Sequence, residues 1–378
     1  GGEFEGGNLY RVKPDGIDMQ VLYQFDYNSV TRPHGKLIQD QNGFIYGISE
    51  DGGKSNRGTL YRYNPINNEI IVLYHFTSDS IGTEPKDLLF LTKSNKIIGQ
   101  CNSNLEVFEF NLSQNSMRII PQIQNSFRSR IIHSIFELKG RVFVSSSDHR
   151  GVCDVIEYIE ANGSTSLLSS SNTFVYNKPI PLNDSSYIGT AHVASESGNL
   201  ERSLFYTFNL SSNTLILSNI LNPNIHGYRI NANIFFIGPN QIITSCQEGG
   251  IYHGGTLISY NLQTQIADTI HSFKFQIGSI PRELIQADSN IIIGTCFSGG
   301  NNTDGTIFKY NIATQQTSLV FDITDTPYGK HPNTSILKTD TNTLFFNTFY
   351  GGNHQNGTLL RYQIIEDSLS VAVNYSSS

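Results

Sequence analysis

Apolar and polar positions alternate along short stretches of this chain, and the stretches come in pairs. Residues 45–65, IYGISEDGGKSNRGTLYRYNP, run one alternating segment into a Gly-Gly-centred loop and out into a second. Residues 292–311, IIGTCFSGGNNTDGTIFKYN, repeat the arrangement, with Gly47, Gly52, Gly53, Gly58 and Thr59 matched by Gly294, Gly299, Gly300, Gly305 and Thr306. A period of two over four to eight residues is the mark of a half-buried strand. The second arm is the easier to follow: NLYRV at Asn8, TLYRY at Thr59, EVFEF at Glu106, DVIEY at Asp154, LFYTF at Leu204, TLISY at Thr256, TIFKY at Thr306 and TLLRY at Thr358. These eight copies carry apolar anchors from Leu9 to Leu359 at a mean spacing of 50 residues.

A period near 50 with about four short strands per unit describes a β-propeller blade rather than a helical solenoid. In the first full unit the pattern predicts strand A at Lys36–Gln39, B at Phe44–Ser49, C at Thr59–Tyr63 and D at Glu69–Phe76. Turns rich in Gly and Asn, such as 40–43 and 162–163, join A to B and C to D on one face. The B–C loops and the D–A connections then share the other face. Strands C and D occur eight times but A and B seven times. The expectation is an all-β, single-domain propeller over 1–378: seven complete four-stranded blades (33–80, 81–126, 127–174, 175–224, 225–276, 277–326 and 327–378) plus an N-terminal half-blade hairpin within 1–32, in a ring of seven or eight. An open strand edge invites aggregation, so that hairpin is expected to pair with something.

Composition agrees. The chain is rich in Tyr, Phe, Ile, Val, Thr, Asn, Ser and Gly, with no Trp and two Met. A net charge of -7 and a pI near 5.8 argue against a sequence-independent grip on nucleic acid. No apolar run reaches the roughly 20 residues that cross a bilayer, so direct membrane insertion is not expected, and GGEFEGG at the start has none of the regions of a signal peptide. Cys101, Cys246 and Cys296 align in one slot with Ser49, Ser146, Ala191 and Thr348, a place for a small side chain. Those three and Cys153 are expected to be free, buried thiols.

The stretches IYGISEDGG…GTLYRY, IIGTCFSGG…GTIFKY and FFNTFYGG…GTLLRY resemble the GloVer-type tandem repeat of bacterial surface proteins, whose units read approximately LYGTT, a Gly-Gly pair, then GTVFK. The resemblance covers nearly the whole chain. It is clearest at 33–76 and 225–376 and weakest where 102–104 shorten the loop and 148–151 replace the Gly pair. It implies a propeller on an exported or envelope-associated bacterial protein, in an extracytoplasmic location, and it carries over no catalytic residue.

Candidate chemistry is sparse. The Gly-rich loops lead into strands rather than helices, which argues against a phosphate cradle. Asn301, Asn302 and Asp304 offer calcium one carboxylate. His149, His253 and His354 fall in B–C loops of non-adjacent units without the close pairs of a zinc site. Glu50, Asp51, Glu248 and Asp304 are possible acids, but there is no GxSxG or HExxH, and no cofactor or metal is expected. One bias stands out in an acidic chain: each D–A connection brings a basic residue close to strand A, namely Arg32, His34, Lys36, Lys86, Arg130, Lys178, Arg229, Arg282, Lys330 and His331. They are expected to ring one mouth of the central channel and to bind an anionic glycan or an acidic protein segment. The sequence favours a non-catalytic binding or scaffold module within a larger assembly; the alternative is a carbohydrate-active lyase or hydrolase acting at that mouth.

Overall fold

The computed structural model describes residues 6–13, 18–26, 29–77, 82–102, 105–120, 131–147, 152–175, 178–193, 202–230, 232–333 and 335–376. Among them the regular structure is all strand except for a single-turn helix, Asp325–Tyr328. In the first blade, strands A to D are Thr31–Gln39, Ile45–Asp51, Thr59–Asn64 and Glu69–His75, paired antiparallel in that order. Six further sheets repeat the meander, with strand B at Lys96–Cys101, Arg141–Ser147, Ser186–Val193, Gln241–Cys246, Ile291–Ser298 and Thr343–Tyr350. The fold is a β-propeller of seven complete blades. Asn8–Val12 and Met19–Gln24 form a separate two-stranded sheet, the strands C and D of one more unit.

One boundary needs correction. Strand A of the first blade begins at Thr31 rather than Lys36, because pairing resumes beyond a bulge between His34 and Ile38 and continues to Thr31 opposite Asp51. The bulge contains Gly35 and Lys36, polar residues that hide the strand from an alternation count.

The described chain divides into two compact units, one of Gly1–Arg11, Gln20–Lys178 and Ser378, the other of Val12–Met19 and Pro179–Ser377. In both, the apolar core lies between neighbouring blades. A single antiparallel sheet has two faces and no layer of its own to cover either, so each blade buries its faces against the next. In the first unit, Leu9, Phe25 and Val30 pack on Tyr61 and Tyr63. Ile48, Leu60 and Phe76 pack on Leu89, Ile97 and Phe108, and Ile98 and Val107 pack on Ile135, Val144 and Ile156. In the second, Ile188 and Phe205 meet Ile242 and Ile258, Ile243 and Leu257 meet Ile292 and Phe308, and Ile293 and Ile307 meet Leu344 and Leu360.

The repeated glycines and threonines build the joint between blades. The Gly before strand C closes the B–C loop by donating to the first Gly of the pair, Gly58 to Gly52 at 3.2 Å and Gly305 to Gly299 at 3.3 Å. Its carbonyl accepts from the residue that follows strand D, Phe76 and Ile323 at 3.0 Å each. The proline opening the next blade lies against the same glycine. A Cβ on Gly58, Gly255 or Gly305 would come within 2.5, 2.5 and 2.6 Å of the Cδ of Pro85, Pro281 and Pro332. The residue before that proline takes positive φ (Glu84 58°, Ile280 57°, His331 59°) and donates its amide to the preceding loop, to the carbonyls of Arg57, Gly254 and Asp304 at 2.9, 2.8 and 2.6 Å. Inside the sheets of blades 1, 2, 4 and 6, a glycine of strand B faces an aromatic of strand C. A Cβ on Gly47, Gly99 or Gly294 would lie 2.4, 2.3 and 2.3 Å from the rings or hydroxyl of Tyr61, Phe108 and Phe308. The small-residue slot ends strand B, where Ser49 Oγ meets Thr59 Oγ1 at 2.7 Å and Cys101, Cys246 and Cys296 are buried and free. Burial pushes the Cys101 thiol up to about 12, with Glu106 adding to the rise.

At the opposite side of blades 2 and 3 a buried carboxylate links the two sheets. Glu109 is 2 % exposed and accepts from Arg118 Nη2 at 3.0 Å and from the Tyr158 hydroxyl at 2.5 Å, with Lys96 Nζ at 3.4 Å. Arg118 Nη2 also donates to Tyr158 Oη at 2.7 Å, and burial raises the phenol further out of its ordinary range, helped by Glu109. Every charge here has a partner, which is the condition for a buried ion network to persist.

Two outcomes test this account. Gly305→Ala meets both a φ of 109° and the Pro332 ring, whereas Gly43→Ala meets a φ of 86° and no atom closer than 4.0 Å. In denaturant unfolding, Gly305→Ala is expected to lose about 3 kcal/mol and Gly43→Ala about 1–2 kcal/mol; equal losses would remove the joint as the reason for the glycine. Glu109→Ala strands two cations and is expected to lose about 3–5 kcal/mol by the same measurement.

Candidate functional site

The basic residues next to strand A occupy two structurally distinct places in the joint. Arg32, Arg229 and His331 sit at the positive-φ position, at 53°, 61° and 59°. Arg282, like His34, follows the proline and stands at the strand A bulge. Lys330 precedes His331. Arg130 lies outside the described residues, as does the side chain of Lys86. His34, Lys36 and Lys178 are exposed.

Three of these cations have carboxylate neighbours. Arg32 reaches Glu50 at 2.9 Å and Asp51 at 3.0 Å. Arg229 reaches Glu248 at 2.6 Å, a carboxylate that also accepts from Tyr228 Oη at 2.7 Å. Lys330 meets Asp325 at 3.2 Å. At each of these three positions the positive charge is locally compensated.

Arg282 differs. Its Nη1 donates to Gln247 Oε1 at 3.1 Å, its guanidinium carbon stands 4.9 Å from the centre of the Phe297 ring, and its Nε is buried without a partner. No carboxylate pairs with it among the described residues. Burial lowers its pKa; Glu248 opposes that shift and Arg229 adds to it. The Phe297 ring also stacks on His331, 4.5 Å between centroids and 13° between planes, while His331 Nδ1 bonds the Phe297 carbonyl at 3.0 Å. Tyr350 stands edge-on to His331 at 6.4 Å, with Phe349 4.6 Å beyond it. Phe349 and Tyr350 are 54 % and 51 % exposed, large values for aromatic rings at a strand end. Within the second unit, then, Arg282, Phe297, His331, Tyr350 and Phe349 form one continuous strip of cation, imidazole and ring faces on the B–C loop side. Its chemistry suits an anion joined to an apolar or ring-shaped body.

Glu283 follows Arg282 in sequence and accepts from Asn233 Nδ2 at 3.2 Å. Burial lifts its carboxyl to about 7.

The other candidates resolve into loop structure. Asp304 accepts from the Asp325 amide at 2.9 Å, and its carbonyl from His331, so it ties the connection into blade 7. The Asn301 amide donates to Asp322 Oδ2 at 2.9 Å. His253 holds the positive-φ corner of its loop, at 59°, as Asn56, Thr303 and Gln355 do at 49°, 67° and 62°. His354 is exposed, and His149 lies outside the described residues. Among the described residues no three His, Cys, Asp or Glu side chains are grouped to hold a metal ion. Glu50, Asp51 and Glu248 are the partners of Arg32 and Arg229 already given.

A basic-residue count misses Phe297, Tyr350 and Gln247, which make Arg282 different from Arg32. The signal available was positional. Phe297 and Phe349 follow the small slot of strand B directly, where blades 1 and 5 carry Glu50 and Gln247.

No curated protein matches the chain in sequence. Among solved structures it is similar to dipeptidyl peptidase 4 of Porphyromonas gingivalis, at 8 % identity over 97 % of this chain and 59 % of that one, TM-score 0.58. It is similar also to an S511A mutant of puromycin hydrolase (8 % identity, 96 % and 57 %, TM-score 0.56) and to a puromycin-hydrolyzing peptidase of Mycobacterium tuberculosis (8 %, 99 % and 57 %, TM-score 0.56). The chain thus spans less than two thirds of the length of these peptidases, and at such identity the likeness concerns the fold. The sequence profile of the Gloeobacter/Verrucomicrobia repeat matches residues 1–141 and 176–378, passing over most of the blade in which 148–151 replace the Gly pair. The chain therefore belongs to the Gloeobacter/Verrucomicrobia repeat family.

Proposed function

We propose that the chain is a non-catalytic binding module of an exported or envelope-associated protein, which takes an acidic macromolecular partner, an anionic glycan or an acidic protein segment, on its B–C loop side. The observation that carries this reading is Arg282: a half-buried guanidinium stacked on Phe297, with Gln247 rather than a carboxylate beside it. Holding a cation partly out of water with no carboxylate in hydrogen-bond contact is unfavourable, and an anionic ligand would relieve it. The exposed rings of Tyr350 and Phe349 extend the contact, as aromatic and arginine side chains do at the centre of many interfaces. Loops held by a rigid scaffold are where such contacts concentrate. The family and the fold are compatible with this role without specifying it.

One observation favours a second reading, a carbohydrate-active lyase or hydrolase. Glu283 keeps its proton to about 7 because of burial, and an acid catalyst needs a carboxyl protonated near neutrality.

Titration of a polyuronate and of polyglutamate at low ionic strength tests the binding reading. Arg282→Ala and Tyr350→Ala are expected to weaken the better ligand at least tenfold, while Arg32→Ala, whose cation is already paired, stays within about threefold; unchanged affinity in the first two would end the proposal. Glu283 gives a pH dependence of opposite sign to that of a salt-bridged carboxylate. Its folded pKa, about 7, exceeds the unfolded value near 4.5. The folded state therefore binds more protons between those values, and stability falls as pH rises through them, by at most about 3 kcal/mol. Glu283→Gln should flatten that slope in denaturant melts at pH 5 and pH 8. If Glu283 is instead a catalytic acid, the same variant would retain polysaccharide binding and lose turnover.

A further inference from the structure

Blade 5 departs from its neighbours where strand D, Ala267–Ser272, meets the B–C loop. In blades 1, 6 and 7 the last residue of strand D accepts the amide of the residue after the Gly pair: His75 from Lys54 at 3.2 Å, Asp322 from Asn301 at 2.9 Å and Asn374 from Asn353 at 3.0 Å. In blade 5 that place falls to Ser272, whose shorter side chain makes no such bond to Ile251. Two bulkier positions have shrunk as well. In blade 6 Phe321 packs edge-on against Tyr328, 5.1 Å between ring centroids. Their equivalents in blade 5 are His271 and Ile277. His271 holds the strand D register of Phe321, and the Ile277 carbonyl accepts from Thr306 as that of Tyr328 does from Thr358.

The smaller side chains leave a pocket of about 510 Å³ between strand D, the B–C loop and the connections that enter and leave the blade, a size that suits a small ligand. Ile225, Ile251, Ile270 and Ile277 give it apolar walls, and the exposed Tyr252 and Lys274 line it too. Lys274 Nζ lies 4.4 Å from the centre of the Tyr252 ring, and no Asp or Glu is among the described lining residues. Burial and the nearby Lys274 hold the His271 imidazole below its ordinary range, so at pH 7 this lining carries one formal charge, the Lys274 ammonium. The loop tip differs to match. After the Gly pair, blades 1, 6 and 7 have Lys54-Ser55, Asn301-Asn302 and Asn353-His354; blade 5 has Ile251-Tyr252, 63 % and 48 % exposed. Exposed apolar side chains gathered round a pocket mark a ligand site rather than a solvated turn.

We propose that this pocket binds a small organic carboxylate with an apolar body. The body lies against the isoleucines and the Tyr252 ring, and the carboxylate pairs with Lys274. Both parts are needed, because an exposed ion pair alone is weak and an apolar contact alone does not select an anion. The site shares no residue with the strip from Arg282 to Phe349, so it stands or falls apart from the binding of an acidic macromolecule there.

The test is a ligand-detected NMR titration of the full chain with phenylacetate, which is expected to saturate. Phenylacetamide, which keeps the ring and loses the charge, should bind about fivefold more weakly, and Lys274→Ala should weaken phenylacetate by the same factor. Glucuronate, which keeps the charge and loses the apolar body, should bind about tenfold more weakly. His271→Phe combined with Ile277→Tyr rebuilds the ring pair of blade 6 inside the pocket and should abolish binding, with a cooperative thermal melt showing that the chain folds. Absence of saturation by phenylacetate, equal affinity for phenylacetamide or glucuronate, or unchanged affinity in Lys274→Ala would overturn the proposal, whether or not the double variant folds. Unchanged affinity in a folded double variant would overturn it too, by placing the ligand elsewhere.

Discussion

The contact between a loop-closing glycine and the proline that opens the next blade is what the rest of this structure depends on. Gly58, Gly255 and Gly305 each do three things at once: they end the B–C loop, receive the amide that follows strand D, and leave room for the following proline ring. Any side chain would break at least one of these. Once the joint is set, the faces of successive sheets are held at contact distance, and apolar clusters such as Leu60 with Leu89 and Ile307 with Leu360 follow from the alternation in strands B and C. The fold is thus specified locally and repeatedly, each joint needing its two neighbours and little else.

That locality explains how much could be read from residues alone. The 50-residue spacing, the four strands and the extra hairpin are all legible, since the apolar pattern of strand C survives in every copy and the Gly-pair loop in four of them. The start of strand A was not, because Gly35 and Lys36 bulge outward before pairing resumes at Thr31. The glycines were legible as turn formers, but their second role, as a seat for Pro85 or Pro332, depends on a residue about 27 positions away in another sheet. Free thiols in the small slot were expected, and they are found buried beside strand C. Of the cationic positions, a count of basic residues does not separate Arg32, which has Glu50 and Asp51 beside it, from Arg282, which has Gln247 and Phe297. Arg32 takes the positive-φ position before the proline and Arg282 the bulge after it, and the residue just after the slot is Glu50 in one blade and Phe297 in the other; both differences carry meaning only once the pairing of strands A and B sets these residues side by side.

The strip from Arg282 to Phe349 departs from the repeat in its side chains alone: the joint keeps its backbone, while Phe297 stands where blade 1 carries Glu50. Departures of this kind are where ligand recognition can diverge without disturbing the scaffold.

Sharing each apolar interior between only two neighbours has a further consequence for how such chains change over time. A unit can lose its signature, as 148–151 show by replacing the Gly pair, without propagating damage beyond the adjoining interiors. By the same logic, in-frame duplication of one segment adds one new interface and leaves the others with partners of the same surface, so the number of copies can change with little disturbance to the chemistry of any single copy.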